Sequence, residues 1–195
     1  MENDLILQLY KKPETVFSIH EISQIFPSIS LESLRDRLYY FTKAGKIKHP
    51  HHGIYTKETY SPLELANKIY TPSYISLETV LSLGGMVFQH YERIFAVSYL
   101  TRSITVEEAK IQYRRIRKDI LTNMEGIEPK TGHFIASLER AFLDAVYIYK
   151  NYHFDNLSVL NWEKTHEIME IYKSAILEKR VDWYYKQFKE DYNEH

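Results

Sequence analysis

The sequence predicts an α+β chain built in two parts, and three observations predict it. Residues 28–57 read as a helix, a glycine stop and a short hairpin dense in basic residues. Between residues 86 and 135, runs rich in Val, Ile, Phe and Tyr read as strands of a small sheet. From Ser137 onward, apolar residues recur at helical spacing. The 195 residues fit one or two domains, and a boundary near Glu58 to Ser61 divides them into 1–60 and 61–195.

In the first part, Leu5, Ile6 and Leu9 give residues 4–11 an apolar face, and Lys12-Pro13 ends that helix. Val16-Phe17 is a short extended piece. Ser18-Ile-His-Glu21 has capping-box spacing and opens a helix through Ile22, Ile25 and Phe26, stopped before Pro27. Ser30 is the expected N-cap of a third helix whose Leu31, Leu34, Leu38 and Phe41 face inward. Gly45 stands where a helix C-terminus favours a left-handed residue. Lys46-Ile-Lys48 and Gly53-Ile-Tyr55 alternate like strands, with His49-Pro-His-His52 as the turn between them.

A short helix followed at once by a basic hairpin predicts a winged helix-turn-helix. Such a helix can lie in the major groove of DNA while the hairpin reaches the backbone beside it. The charges agree: the whole chain is near neutral at −1, yet Arg35 to Lys57 holds six basic residues and one acid, a net of +5. Three histidines add positive charge at mildly acidic pH. The plain alternative is a solvated helix face and a decorated hairpin. Helical geometry sends Ser33, Asp36, Arg37, Tyr40 and Lys43 outward. Ser33 and Arg37 are expected at base edges, with Ser30 at the start of the helix in the same surface, and Tyr40 and Lys43 nearer the backbone. Lys46, Lys48, His51 and His52 are expected at phosphates. Arg35, near the flank of the apolar stripe, is placed to pair with an acid inside the domain.

In the second part, Ser61-Pro-Leu-Glu64 reads as another capping box with proline at N1, opening a helix through Leu65, Ala66 and Ile69. Ser76 is the expected cap of the next helix, which Gly84-Gly85 stops. Met86 to Phe88, Ile94 to Leu100 and Ile111 to Arg117 read as strands, although Thr105-Val-Glu-Glu108 could cap a helix. Ile127 ends a further strand, and Gly132 to Ile135 leads into a helix starting near Ser137. Apolar residues on nearly all sides of that helix predict burial by more than one neighbour. The tail is predicted helical. Lys110, Arg114, Arg115, Arg117 and Lys118 form a second basic strip, either a further phosphate contact or a charged edge strand that resists aggregation.

Several classes are excluded. With no cysteine there are no disulfides and no thiolate metal sites, which fits a reducing cytoplasm. The acidic Met-Glu-Asn-Asp start is unlike a signal peptide, and no apolar run approaches the ~20 residues of a membrane span. A cytoplasmic protein with no membrane contact is expected. The paired glycines lack the lysine of a phosphate loop, and no Gly-x-Ser-x-Gly elbow exists. His49, His51 and His52 at a hairpin tip have no outer shell to fix them as metal ligands. Glu139 and Asp144 stand about 140° apart round their helix and cannot converge by themselves. Neither a cofactor nor an enzymatic activity is expected. A metal-dependent nuclease built on Glu139, Asp144 or the histidines is one alternative. Another is a protein-interaction module whose winged helix no longer binds DNA, to which the carboxylates of Glu32 and Asp36 lend weight.

Four blocks of sequence resemble the AbiEi-like antitoxins of type IV toxin–antitoxin pairs in bacterial abortive infection. They are Lys43-Ala-Gly-Lys-Ile-Lys ending in Gly53-Ile-Tyr, Tyr74-Ile-Ser-Leu-Glu-Thr-Val-Leu with Gly85-Met-Val, Val97-Ser-Tyr-Leu-Thr, and Ile135-Ala-Ser-Leu-Glu-Arg-Ala-Phe-Leu-Asp. They cover most of the chain up to about Tyr149. In the last block, Leu138 stands for the family's proline and Arg140 for its lysine. The resemblance implies an autorepressor that binds double-stranded DNA repeats in its own promoter through the winged helix. It also implies a functional partner, a nucleotidyltransferase-like toxin that the antitoxin need not bind directly. A monomer or weak dimer is expected.

Overall fold

The computed structural model of the chain describes residues 2–193, which form a mixed α+β fold with one three-stranded and one six-stranded sheet. The first part runs α1 (Glu2–Lys11), β1 (Val16–Ser18), α2 (Ile19–Ile25), α3 (Leu31–Lys43), β2 (Lys48–His51) and β3 (Ile54–Thr56). The Ser18–Glu21 capping box is formed: Glu21 N donates to Ser18 Oγ, and Ser18 N donates to the Glu21 carboxylate at 2.8 Å. Ser30 caps α3, and Leu34, Leu38 and Phe41 bury against Leu5, Leu9 and Ile22. Leu31 departs from the expected stripe; in the first turn of α3, beyond the reach of this core, it is 45% exposed.

The small sheet has the order β1-β3-β2, all antiparallel. Strand β2 continues through His51, so the turn is the pair His52-Gly53 rather than four residues. Gly53 takes φ +69°, which glycine adopts at little cost. Pro50 is tolerated inside β2 because β2 is an edge strand.

The second part runs α4 (Pro62–Ile69), β4 (Ser73–Ile75), α5 (Glu78–Leu83), β5 (Arg93–Ser98), β6 (Arg102–Val106), β7 (Ala109–Arg115), α6 (Lys118–Leu121), β8 (Ile127–Lys130), β9 (His133–Ala136), α7 (Leu138–Ile148), α8 (Trp162–Met169) and α9 (Ala175–Asn193). The sheet order is β6-β7-β5-β4-β9-β8, with β5–β7 and β4–β9 parallel and the other pairs antiparallel. Helix α7 contacts α5, α8 and α9, as its many-sided apolar surface predicts. Phe142 is fully buried there, with the rings of Phe154, Trp162 and Tyr184 at 5.0, 5.8 and 5.7 Å.

Several local expectations are corrected. Met86 to Phe88 is not a strand. Its backbone groups bond elsewhere: Met86 N and Val87 N donate to Leu81 O of α5, Asp155 N and Asn156 N donate to Met86 O, and Phe88 N donates to Asp155 Oδ2. Ser76 does not cap α5; Leu77 holds that position, and the Ser76 hydroxyl is taken by Asp144. Ile127 begins β8 rather than ending a strand, and Thr105 to Glu108 forms the end of β6 and the turn into β7. The tail breaks into α8 and α9 at Lys173, which takes φ +46°.

Ser61 Oγ does accept from Glu64 N, but the Glu64 carboxylate does not reach back to complete a capping box. It crosses to the first part, where Glu64 Oε2 accepts from Thr15 N at 2.7 Å and Val16 N at 3.0 Å. Lys68, one turn further along α4, pairs with Glu21. Two successive turns of α4 thus hold β1 and the start of α2.

Candidate nucleic-acid interface

Helix α3 and the β2–β3 hairpin enclose a cleft. Arg35, Asp36, Tyr39 and Lys43 line it from the helix, and His49, His52 and Tyr55 line it from the hairpin. Arg35, Tyr39 and Lys43 follow one another at i, i+4, i+8, so one helix face carries all three. The Lys43 ammonium lies 5.5 Å from the Tyr39 ring centre, a cation–π distance. The His49 ring stacks on Tyr55 with centroids 4.5 Å apart and planes 10° apart. Burial pushes the His49 imidazole below the usual histidine range, and the nearby His52 and His51 push it further.

The expected contact residues divide. Tyr40 and Lys43 are exposed on α3. Ser30 Oγ accepts from Ser33 N at 3.2 Å, and Ser33 itself is half-buried. Arg37 is also half-buried, because it sits about 65° from the middle of the Leu34, Leu38 and Phe41 stripe. Arg35 is the exposed arginine. Among the described residues it makes no ion pair, which corrects its expected pairing inside the domain, and it faces the hairpin. Lys46 is exposed beside Phe41, 5.5 Å from its ring centre. His51 is half-buried with Nδ1 lacking a hydrogen-bond partner, and His52 is exposed at the turn. Lys48 turns away from α3. It lies 5.9 Å from the Tyr60 ring, in a second cleft that Glu58, Glu92, Glu107 and Glu108 also line.

The second basic strip does not assemble. β7 lies between β5 and β6, so it is not an edge strand. Strand alternation puts Lys110 and Arg114 on one face and Arg115 on the other, while Arg117 and Lys118 lie past the strand end. Lys110 pairs with Glu92 at 2.8 Å, and Arg117 forks onto Asp119 at 2.6 and 2.8 Å. The Arg114 guanidinium lies 5.5 Å from the Tyr149 ring centre.

A buried polar network was missed by sequence reasoning. Tyr74, Ser76 and Tyr172 each donate a hydroxyl to the Asp144 carboxylate, at 3.2, 2.8 and 2.7 Å. Arg140 Nε lies 3.5 Å from Asp144 Oδ1, and both side chains are closed to solvent. The Arg140 fork also donates to Glu125 O, Ile120 O and Tyr74 Oη, and it lies 5.3 and 5.4 Å from the Tyr74 and Tyr172 ring centres. Burial pushes the Asp144 carboxyl up, against the pull of Arg140 and the three hydroxyls. An arginine and an aspartate at i, i+4, enclosing the apolar run Ala141 to Leu143, were the available signal. The two blocks around Tyr74 and Asp144 meet here, inside the core.

The Glu139 carboxylate takes the Ser137 hydroxyl at 2.9 Å and lies 3.2 Å from Lys164 Nζ. Burial pushes it up, but its backbone amide, Ser137 and Lys164 outweigh burial and hold it below the usual range. Glu139 and Asp144 therefore serve different partners and share no solvent-facing site. Among the described residues no three His, Asp or Glu side chains are grouped closely enough to hold a metal ion, and no helix is long and apolar enough to cross a membrane. Compared with protein-family models and with curated proteins, the chain matches none.

Proposed function

We propose that the chain is a winged helix-turn-helix regulator that binds double-stranded DNA through α3 and the β2–β3 hairpin. The carrying observation is the cleft between them, which Arg35 and Lys43 line from the helix and His49 and His52 from the hairpin, with Asp36 the one lining carboxylate among the described residues. A helix fits the major groove, and cations beside it can hold the flanking phosphates. Resemblance extends this reading to a cytoplasmic antitoxin that represses its own operon and counters a nucleotidyltransferase-like toxin without needing to bind it. In that reading residues 1–60 bind DNA and 61–195 carry the antitoxin function, with a monomer or weak dimer as the working unit. The Tyr74 and Asp144 blocks then act by shaping the second part, since they are buried.

Anisotropy titrations of labelled duplexes test the DNA reading. DNA from upstream of the gene should bind at least about a hundredfold more tightly than a scrambled duplex at the same salt. No binding to either duplex would favour the interaction-module reading, which has an observation of its own: Glu32 and Asp36 are both exposed on α3. A reporter fused to the upstream region should be repressed by the chain, and repression should fail in an Arg35→Ala, Lys43→Ala variant.

A further inference from the structure

The first half of α9 turns one stripe toward the segment that follows α7. Ile176, Lys179, Arg180 and Trp183 are spaced i, i+3, i+4, i+7 and so share a face. With Lys150, Tyr152, His153 and Tyr184 they line a cleft of about 570 Å³. That volume is within the range of small-molecule sites.

The floor is built rather than loose. Tyr184 donates its hydroxyl to Tyr152 O at 2.6 Å, and its ring packs on Phe154 at 5.1 Å. Arg180 donates one nitrogen to Val146 O at 2.8 Å and Tyr149 O at 3.3 Å, which fixes its guanidinium at the C-terminal end of α7. Above this floor, Ile176 is 66% and Trp183 55% exposed. On one face of α9, these two side chains give the cleft an open apolar wall.

Charge narrows the occupant. Lys150, Lys179 and Arg180 surround the apolar floor beside the His153 ring, and among the described residues no carboxylate lines the cleft. Asp155, outside the cleft lining, lies 3.5 Å from His153 Nε2. We propose that the cleft binds a small amphipathic organic anion. Its aromatic or alkyl body would lie on Trp183, Ile176 and Tyr152, and its carboxylate or phosphate would face Lys150, Lys179 and Arg180. A neutral ligand would leave those cations uncompensated. A second copy docking through the same patch about a twofold axis would bring cations against cations. The inference does not depend on DNA binding.

The probe pair is 4-phenylbutanoate and its neutral amide, titrated into the full chain. Calorimetry reads affinity, and tryptophan emission reports the site, because Trp183 is exposed while Trp162 is buried. The acid should bind at least about tenfold more tightly than the amide, which corresponds to ~1.4 kcal/mol. Lys150→Glu with Lys179→Glu should abolish that preference. Trp183→Ala should weaken both ligands. Both lysines and Trp183 are exposed, and circular dichroism checks that the variants stay folded. Equal binding of acid and amide, or no binding of either, overturns the proposal. So does tryptophan emission that shifts with protein concentration alone alongside dimer sedimentation, which would assign the cleft to a second copy.

Discussion

Tyr74 and Asp144, 70 residues apart in sequence, meet in the core, where the Tyr74 hydroxyl donates to Asp144 Oδ1 at 3.2 Å. This bond joins β4 to α7, and Arg140 completes the junction from the same helix. Removing the carboxylate leaves a guanidinium buried without its counter-charge. Asp144→Ala should therefore cost about 3–5 kcal/mol, read by urea denaturation. Ser76→Ala removes one donor of three and should cost only about 1 kcal/mol. Equal losses for the two variants would mean that Asp144 is not the centre of the network.

Phe142→Ala should cost about 3–5 kcal/mol, because the ring is wholly enclosed and three other rings close round it. Typical domain stability is only ~5–15 kcal/mol, so the variant should melt well below the parent chain. An unchanged melting temperature would remove α7 from its role as spine.

The first part was legible because its signals are local. Ser18, Ser30 and Gly45 act on neighbours within one helical turn, and the spacing of Leu34, Leu38 and Phe41 needs no distant partner. The second part was less legible because distant partners decide it. Ser76 looked like a helix cap, but its hydroxyl goes to a residue 68 positions away. Glu64 looked like half of a capping box, and its carboxylate is claimed by β1. Met86 to Phe88 had strand composition but no strand beside it. On α3, Arg35 is exposed and Arg37 half-buried, the reverse of the order expected from helical spacing, because Arg37 lies nearer the middle of the Leu34, Leu38 and Phe41 stripe.

Lys46, just before the hairpin, and Lys48, at its start, should behave differently. Lys46→Ala should weaken binding to all duplexes alike and reduce the salt slope by about one unit, as loss of a phosphate contact does. Lys48 faces Tyr60 and the glutamates of the second cleft, so Lys48→Ala should change neither quantity measurably. Matching slope losses for both would place the whole hairpin on DNA.

DNA affinity should rise as pH falls from about 7.5 to about 5.5, since histidine protonation adds charge facing phosphates. The sign follows from linkage: DNA favours the protonated rings, so binding takes up protons and strengthens as they become available. Burial and its histidine neighbours hold the His49 imidazole below the usual range, so its share of the rise should come toward the acidic end. The triple change of His49, His51 and His52 to Ala should flatten the pH dependence. A steep dependence surviving in that variant would assign it to other groups.

The cleft between α3 and the hairpin is the core of the functional account, and salt dependence of duplex binding tests it most directly. Affinity should be measured by anisotropy across a salt series for the parent chain, Arg35→Ala with Lys43→Ala, and Arg37→Ala. The double variant should lose about two units of slope, near 0.9 per phosphate contact, while Arg37→Ala keeps the parent slope. An unchanged slope in the double variant, with duplex affinity intact, would contradict the account and move the DNA surface away from this cleft.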